Sequence, residues 1–150
     1  MRNLKWIGPA LLGLLVSSTA WALTLEYEEN FNALPTPTFG PITSGPLTFS
    51  AGTVVTGATD PDLQWCNALD IDVAQNATMV SFELYNSSHT DPIHVAVFDA
   101  TGSPGTVLPG HVFNHGIHTV QVIAGPHATI ELRGGNCETW IDDVQTWSSP

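Results

Sequence analysis

Two adjacent carboxylates, Asp142 and Asp143, stand inside the run Trp140-Ile141-Asp142-Asp143-Val144-Gln145-Thr146-Trp147. Its apolar and aromatic residues predict a closing β-strand. A carboxylate in a half-buried strand needs a partner, because an unpaired buried charge is prohibitive. Beyond residue 22 the chain offers one arginine, Arg133, and no lysine. The partner is then a metal ion or a set of backbone and hydroxyl donors, unless the pair caps a turn or faces water. Ile141 and Val144 are three apart and cannot both face a core in a regular strand, so a bulge is predicted at the aspartates.

Histidines form a second group. His111, His115 and His118 lie in and after a turn, and imidazole is the commonest ligand for zinc or copper. On a strand these spacings do not put all three on one face, and no His-Glu-x-x-His helix is present. Exposed polar residues at strand ends are therefore preferred to a transition-metal site. Aromatic residues form a third group. Trp65, Trp140, Trp147 and Tyr85 could stack on sugar rings, with Asn86, Gln64 or Asp62 supplying hydrogen bonds. Core packing is the competing reading for each tryptophan. Trp65, Tyr85, Asn86 and Trp140 are taken as the ligand-binding candidates. For catalysis there is no nucleophile elbow and no carboxylate pair that can be singled out as acid and base.

The chain that must position these groups opens with Met1-Arg2-Asn3-Leu4-Lys5, followed by an apolar stretch too short to span a bilayer and by Ala20-Trp21-Ala22. That pattern predicts a secretory signal over 1–22 and a mature domain over 23–150, released to the periplasm or medium without membrane insertion. Removing the signal leaves one arginine against fourteen acids, a formal charge of −13. Such a surface repels nucleic acid and anionic membrane, and is compatible with neutral glycans, cations or high salt. Cys66 and Cys137 are the only cysteines, and in an exported chain an even pair predicts a disulfide.

From Leu23 onward short alternating apolar runs are separated by Gly, Pro, Asn, Asp and Ser, the pattern of an all-β chain. In Leu69-Asp70-Ile71-Asp72-Val73 the acids alternate outward. Ile93-His94-Val95-Ala96-Val97-Phe98 is apolar at nearly every position, which predicts a strand covered on both faces. Residues 35–46, rich in Pro and Gly, read as a loop or irregular edge. About eight to ten short strands predict a two-sheet antiparallel β-sandwich forming one domain.

Four motifs in order carry a resemblance: Tyr27-Glu28, Val80-Ser81-Phe82-Glu83-Leu84, Val95-Ala96-Val97-Phe98-Asp99-Ala100-Thr101-Gly102 and Ile141-Asp142-Asp143-Val144. Together they resemble the galactose-binding-like jelly-roll superfamily, which includes many carbohydrate-binding modules of exported bacterial proteins. The resemblance implies a jelly roll with a structural calcium ion joining the first strand to the last. Its ligands would be Glu28 or the adjacent Glu29, with Asp142 or the adjacent Asp143; calcium takes six to eight hard oxygens. The expected function is a secreted, non-catalytic binding or structural module, with a glycan or cell-surface polysaccharide as partner. Two alternatives stand beside it: a small glycan-active hydrolase or lyase or a His-dependent metalloprotein, and an extracellular matrix or assembly subunit.

Overall fold

The computed structural model describes residues 22–56 and 60–149, so the predicted secretory signal, apart from Ala22, lies outside the described residues. Fourteen strands follow one another: β1 (Thr24–Glu29), β2 (Thr38–Phe39), β3 (Ile42–Ser44), β4 (Leu47–Phe49), β5 (Thr53–Thr56), β6 (Pro61–Trp65), β7 (Ala68–Val73), β8 (Met79–Asn86), β9 (Ile93–Phe98), β10 (Thr106–Leu108), β11 (Val112–Phe113), β12 (Gly116–Ile123), β13 (Thr129–Gly134) and β14 (Thr139–Ser148). No described residue is helical. The count exceeds the eight to ten expected because the Pro- and Gly-rich segment holds β2 and β3, and because β10 and β11 are very short edge pieces.

All pairings are antiparallel and sort into two sheets. One has the order β10-β12-β8-β14-β6-β5-β2, with β1 also pairing β14; the other has the order β11-β9-β13-β7-β4-β3. This is the predicted sandwich. Alternation along each strand sends one set of side chains into a shared core. From the larger sheet come Val54, Leu63, Phe82, Leu84, Val120 and Ile141; from the smaller come Phe49, Leu69, Ile71, Val95, Ile130 and Leu132, all of them buried. Burying one such side chain stabilises by about 1.5 to 3 kcal/mol. Asp70 and Asp72 point outward as expected. One expectation is corrected: Ile93–Phe98 is covered on one face only, because His94 is exposed and Ala96 and Phe98 are half-buried.

The Cys66–Cys137 disulfide forms across 71 residues of sequence. It ties the β6–β7 turn to the β13–β14 turn, at the same end of the sandwich as Trp140. Closing a loop of that length stabilises by about 4 kcal/mol through the unfolded chain.

Strand β14 sets the geometry of the larger sheet. Along one edge it pairs with β8 throughout; along the other, Thr139 to Ile141 pair with β6, and Val144 onward pairs with β1. Where the partner changes, the register slips between Asp142 and Gln145, and Asp143 takes a left-handed φ of 48°. The predicted bulge is therefore present. It lets both Ile141 and Val144 reach the core at 0% exposure, and it turns Asp142 and Asp143 into the gap between β6 and β1.

Candidate functional site

The outer face of the eight-stranded sheet is built from residues two apart on each strand. On β14, Trp140 lies between buried Thr139 and Ile141 and so points outward; on β8, Tyr85 does the same between Leu84 and Asn86. Register puts Trp140 opposite Tyr85, and Gln64 of β6 on the other side of Trp140. The two rings meet with centroids 5.2 Å apart and planes 31° apart. Both are half-buried, the state of an aromatic ring whose edge is held by the sheet and whose outer part faces solvent.

The aromatic contacts continue beyond Tyr85. Its ring meets His115 at 6.2 Å, and His115 stacks on His89 at 3.8 Å with planes 17° apart. The three predicted histidines thus diverge. His111 Nδ1 lies 3.0 Å from the Val95 carbonyl, His118 Nε2 lies 2.8 Å from the Asn114 carbonyl, and His115 joins the aromatic group.

Two of the aromatic-site candidates are placed elsewhere. Trp65 points inward with Leu63 and is 2% exposed, so it offers no face to a sugar. Asn86 is fully buried; its Nδ2 donates to the Asp91 and Phe113 carbonyls, and its Oδ1 accepts from the Ser88 N–H. With its amide satisfied in this way, Asn86 braces the β8–β9 connection rather than a ligand. Trp147 is half-buried on the outer face, where its Nε1 donates to Ser81 Oγ.

One step further along the strands lies a row of acids. Asp142 stands opposite Glu83, while Asp62 enters from β6, two residues before Gln64. Oxygen atoms of Asp60, Asp62 and Asp142 all lie within 4.8 Å of one another. Asp62 and Asp142 are each 8% exposed. Burial, with repulsion from Asp60, Glu83 and Asp143, pushes the Asp62 carboxyl up to about 6. Burial, with repulsion from Asp143, Asp62 and Asp60, pushes Asp142 up to about 7, although the Asp143 N–H donates to it. Asp143 is also raised, by burial and then by Glu28 and Asp60. Asp142 Oδ1 is fully buried and has no hydrogen-bond partner among the described residues.

These facts reposition the predicted cation ligands. Of the four carboxylates named from the sequence, only Asp142 enters the three-carboxylate group. Glu29 is buried and its Oε1 accepts from the Phe31 N–H at 2.5 Å, closing on its own chain. Glu28 is exposed and contributes only repulsion to Asp143. The physical reason is the bulge: β1 pairs with β14 only from Val144 onward, so β6 and not β1 flanks Asp142. Asp60 was not among the candidates named from the sequence because 57–62 read as a loop. The alternation Asp62-Leu63-Gln64-Trp65, with a buried apolar residue at every second position, was the available signal.

The donor set fits a hard cation. Three carboxylates supply oxygens only, which suits calcium rather than zinc or copper, and Asp142 Oδ1 is a buried acceptor with nothing to accept. Asp60, Asp62 and Asp142 could hold such an ion, with backbone carbonyls and waters completing its shell.

No protein-family model matches the chain, and no curated protein matches it. Among solved structures, the chain is similar to one described as "Structural and thermodynamic dissection of specific mannan recognition by a carbohydrate-binding module, TmCBM27". The TM-score is 0.46 and the sequences are 8% identical, over 86% of this chain and 99% of that one. The site described above stands on register, burial and charge in this chain alone.

Proposed function

We propose that this chain is an exported, non-catalytic glycan-binding module. Its ligand lies on Trp140 and Tyr85, and a calcium ion occupies Asp60, Asp62 and Asp142. The observation that carries the reading is the contacting pair of half-exposed rings in the middle of a solvent-facing sheet. Soluble domains normally bury such rings or cover them with a partner. Sugar rings present C–H faces to aromatic rings and hydroxyls to the flanking polar groups, and Gln64 lies directly beside Trp140. The disulfide supports export, because such bridges persist in oxidising compartments. Calcium supplies positive charge to three carboxylates that otherwise repel one another; these residues hold it and keep β6 against β14.

The test is calorimetric titration of the mature chain with neutral soluble polysaccharides. Trp140→Ala should weaken binding by about a hundredfold, the loss of one well-packed aromatic anchor. Binding that is unchanged in Trp140→Ala would contradict the assignment. Titration of calcium into chelator-treated protein should give saturable heat that Asp142→Ala abolishes.

One observation favours the glycan hydrolase reading: Asp142, raised to about 7, has the protonation of a general acid at neutral pH. It is 8% exposed and stands beside two carboxylates whose oxygens converge on a common point. That convergence is the arrangement of a cation site. Release of reducing ends from any bound polysaccharide, lost in Asp142→Asn, would establish the hydrolase instead.

A further inference from the structure

We infer that the ligand is an internal stretch of a single neutral polysaccharide chain, lying across the strands and reaching from Phe39 to Ile117. This rests on the glycan-binding reading and gives it a direction, a length and a charge class.

The direction comes from register. Phe39 of β2 stands opposite Thr53 of β5, Thr53 opposite Gln64, Gln64 opposite Trp140, Trp140 opposite Tyr85, and Tyr85 opposite Ile117 of β12. These six residues form one continuous row on the outer face, perpendicular to the strands. Its two ends are among the most exposed large apolar side chains described, Phe39 at 71% and Ile117 at 62%. Two aromatic rings at the centre, polar groups at Gln64 and Thr53, and an apolar residue at each end match a chain of sugars with alternating C–H faces and hydroxyl edges.

The length follows from the strand count. Five inter-strand spacings of about 4.8 Å give roughly 24 Å, longer than a di- or trisaccharide. Sheet twist rotates each strand relative to the next, and the Trp140 and Tyr85 planes are already 31° apart. A row that turns in this way follows one soluble chain, whereas a flat crystalline surface needs coplanar rings. Beside the row, Thr53, Gln64, Trp65 and the disulfide line a cavity of about 290 Å³.

The charge class follows from what flanks the row. Every member of it is uncharged, and the next row carries Asp62, Asp142 and Glu83. Among the described residues the only cation apart from histidine is Arg133, and it lies on the other sheet, 2.6 Å from Asp70 and 3.4 Å from Glu131. One divalent ion among these acids leaves the face negative. A uronate or sulfated polymer would meet like charge with no compensating base, which opposes both encounter and docking.

Affinity electrophoresis in calcium-containing gels tests the charge class. Galactomannan, glucomannan, xyloglucan and mixed-linkage β-glucan are run beside polygalacturonate and dextran sulfate. Retardation by at least one neutral polymer and by neither anionic one is expected. Oligosaccharides of two to six sugars from the retarding polymer are then titrated into the wild-type chain, Phe39→Ala, Ile117→Ala and Trp140→Ala. Affinity should rise about tenfold or more from the disaccharide to the hexasaccharide. Phe39→Ala and Ile117→Ala should each lower hexasaccharide affinity severalfold and leave the disaccharide unchanged, while Trp140→Ala weakens both by about a hundredfold. Melting curves confirm that these surface variants fold. A hexasaccharide that binds no tighter than a trisaccharide, end variants without effect, or equal retardation by polygalacturonate overturns the inference while Trp140 still marks the site. Wild-type behaviour of Trp140→Ala, or no retardation by any polymer, overturns the glycan reading itself.

Discussion

Both sheets carry acids on their outer faces, and the protein answers them differently. On the six-stranded sheet Asp70 meets Arg133 at 2.6 Å, Asp72 accepts from Thr129 Oγ1 at 2.7 Å, and Arg133 also reaches Glu131. Those acids are solvated at their edges and supplied with donors by the neighbouring strand. On the eight-stranded sheet Asp62 and Asp142 are each 8% exposed, share their surroundings with Asp60, Glu83 and Asp143, and are held well above the usual carboxylate range. Equal residue types are thus matched with Arg133 and Thr129 on one side and clustered with one another on the other. The aromatic row lies on the face with the clustered acids.

The largest expected difference between the faces is in response to calcium. At one hundred times its dissociation constant, an ion bound only by the folded chain stabilises it by about 2.7 kcal/mol, a rise of several degrees in melting temperature. Asp142→Asn should lose that rise and Asp72→Asn should keep it; a calcium response that survives Asp142→Asn would place the ion elsewhere.

A smaller effect is the pH dependence of the chelator-treated chain. Asp62 and Asp142 have folded values raised to about 6 and about 7 from 3.8. The stability linked to them is fully present below 3.8 and is lost as pH rises through 6 and 7. Melting temperature, measured in chelator from pH 4 to 8, should fall across that window relative to Asp62→Asn/Asp142→Asn. At pH 7.5 without calcium, Asp142→Asn alone should be the more stable chain, by on the order of 1 kcal/mol. A flat difference between the two proteins would show that the acids of this face are as well solvated as those opposite.

The smallest effect belongs to the six-stranded sheet. Arg133 and Asp70 are both substantially exposed, at 42% and 38% for their side chains. Water replaces the guanidinium there, so Arg133→Met should cost about 0.5 kcal/mol in denaturant unfolding. A cost of several kcal/mol would mean that this pair, and not the packed core, organises the smaller sheet.

Much of this contrast was legible in the sequence where periodicity decides burial. The alternation through Leu69-Asp70-Ile71-Asp72-Val73 set the outward acids, and the three-residue gap between Ile141 and Val144 required the bulge that Asp143 now occupies. What periodicity does not carry is which strand lies next to which. Glu28 and Glu29 were natural ligands for Asp142 if β1 flanked it; instead β6 does, and brings Asp62. Trp65 and Trp140 were equivalent on paper, each close to a disulfide cysteine. They differ in strand parity: Trp65 shares the face of Leu63 and is buried, whereas Trp140 shares the face of Asp142 and meets Tyr85. The row from Phe39 to Ile117 joins six strands spread over most of the chain, so no local pattern could reveal it.

On the proposed function, the outer face of the eight-stranded sheet binds the glycan and the opposite face does not. Calorimetric titration of one retained neutral polysaccharide into Trp140→Ala and into His94→Ala tests it most directly, since His94 is exposed on the six-stranded sheet. The predicted result is about a hundredfold loss for Trp140→Ala and wild-type affinity for His94→Ala. Wild-type affinity in Trp140→Ala, or a loss confined to His94→Ala, would contradict it.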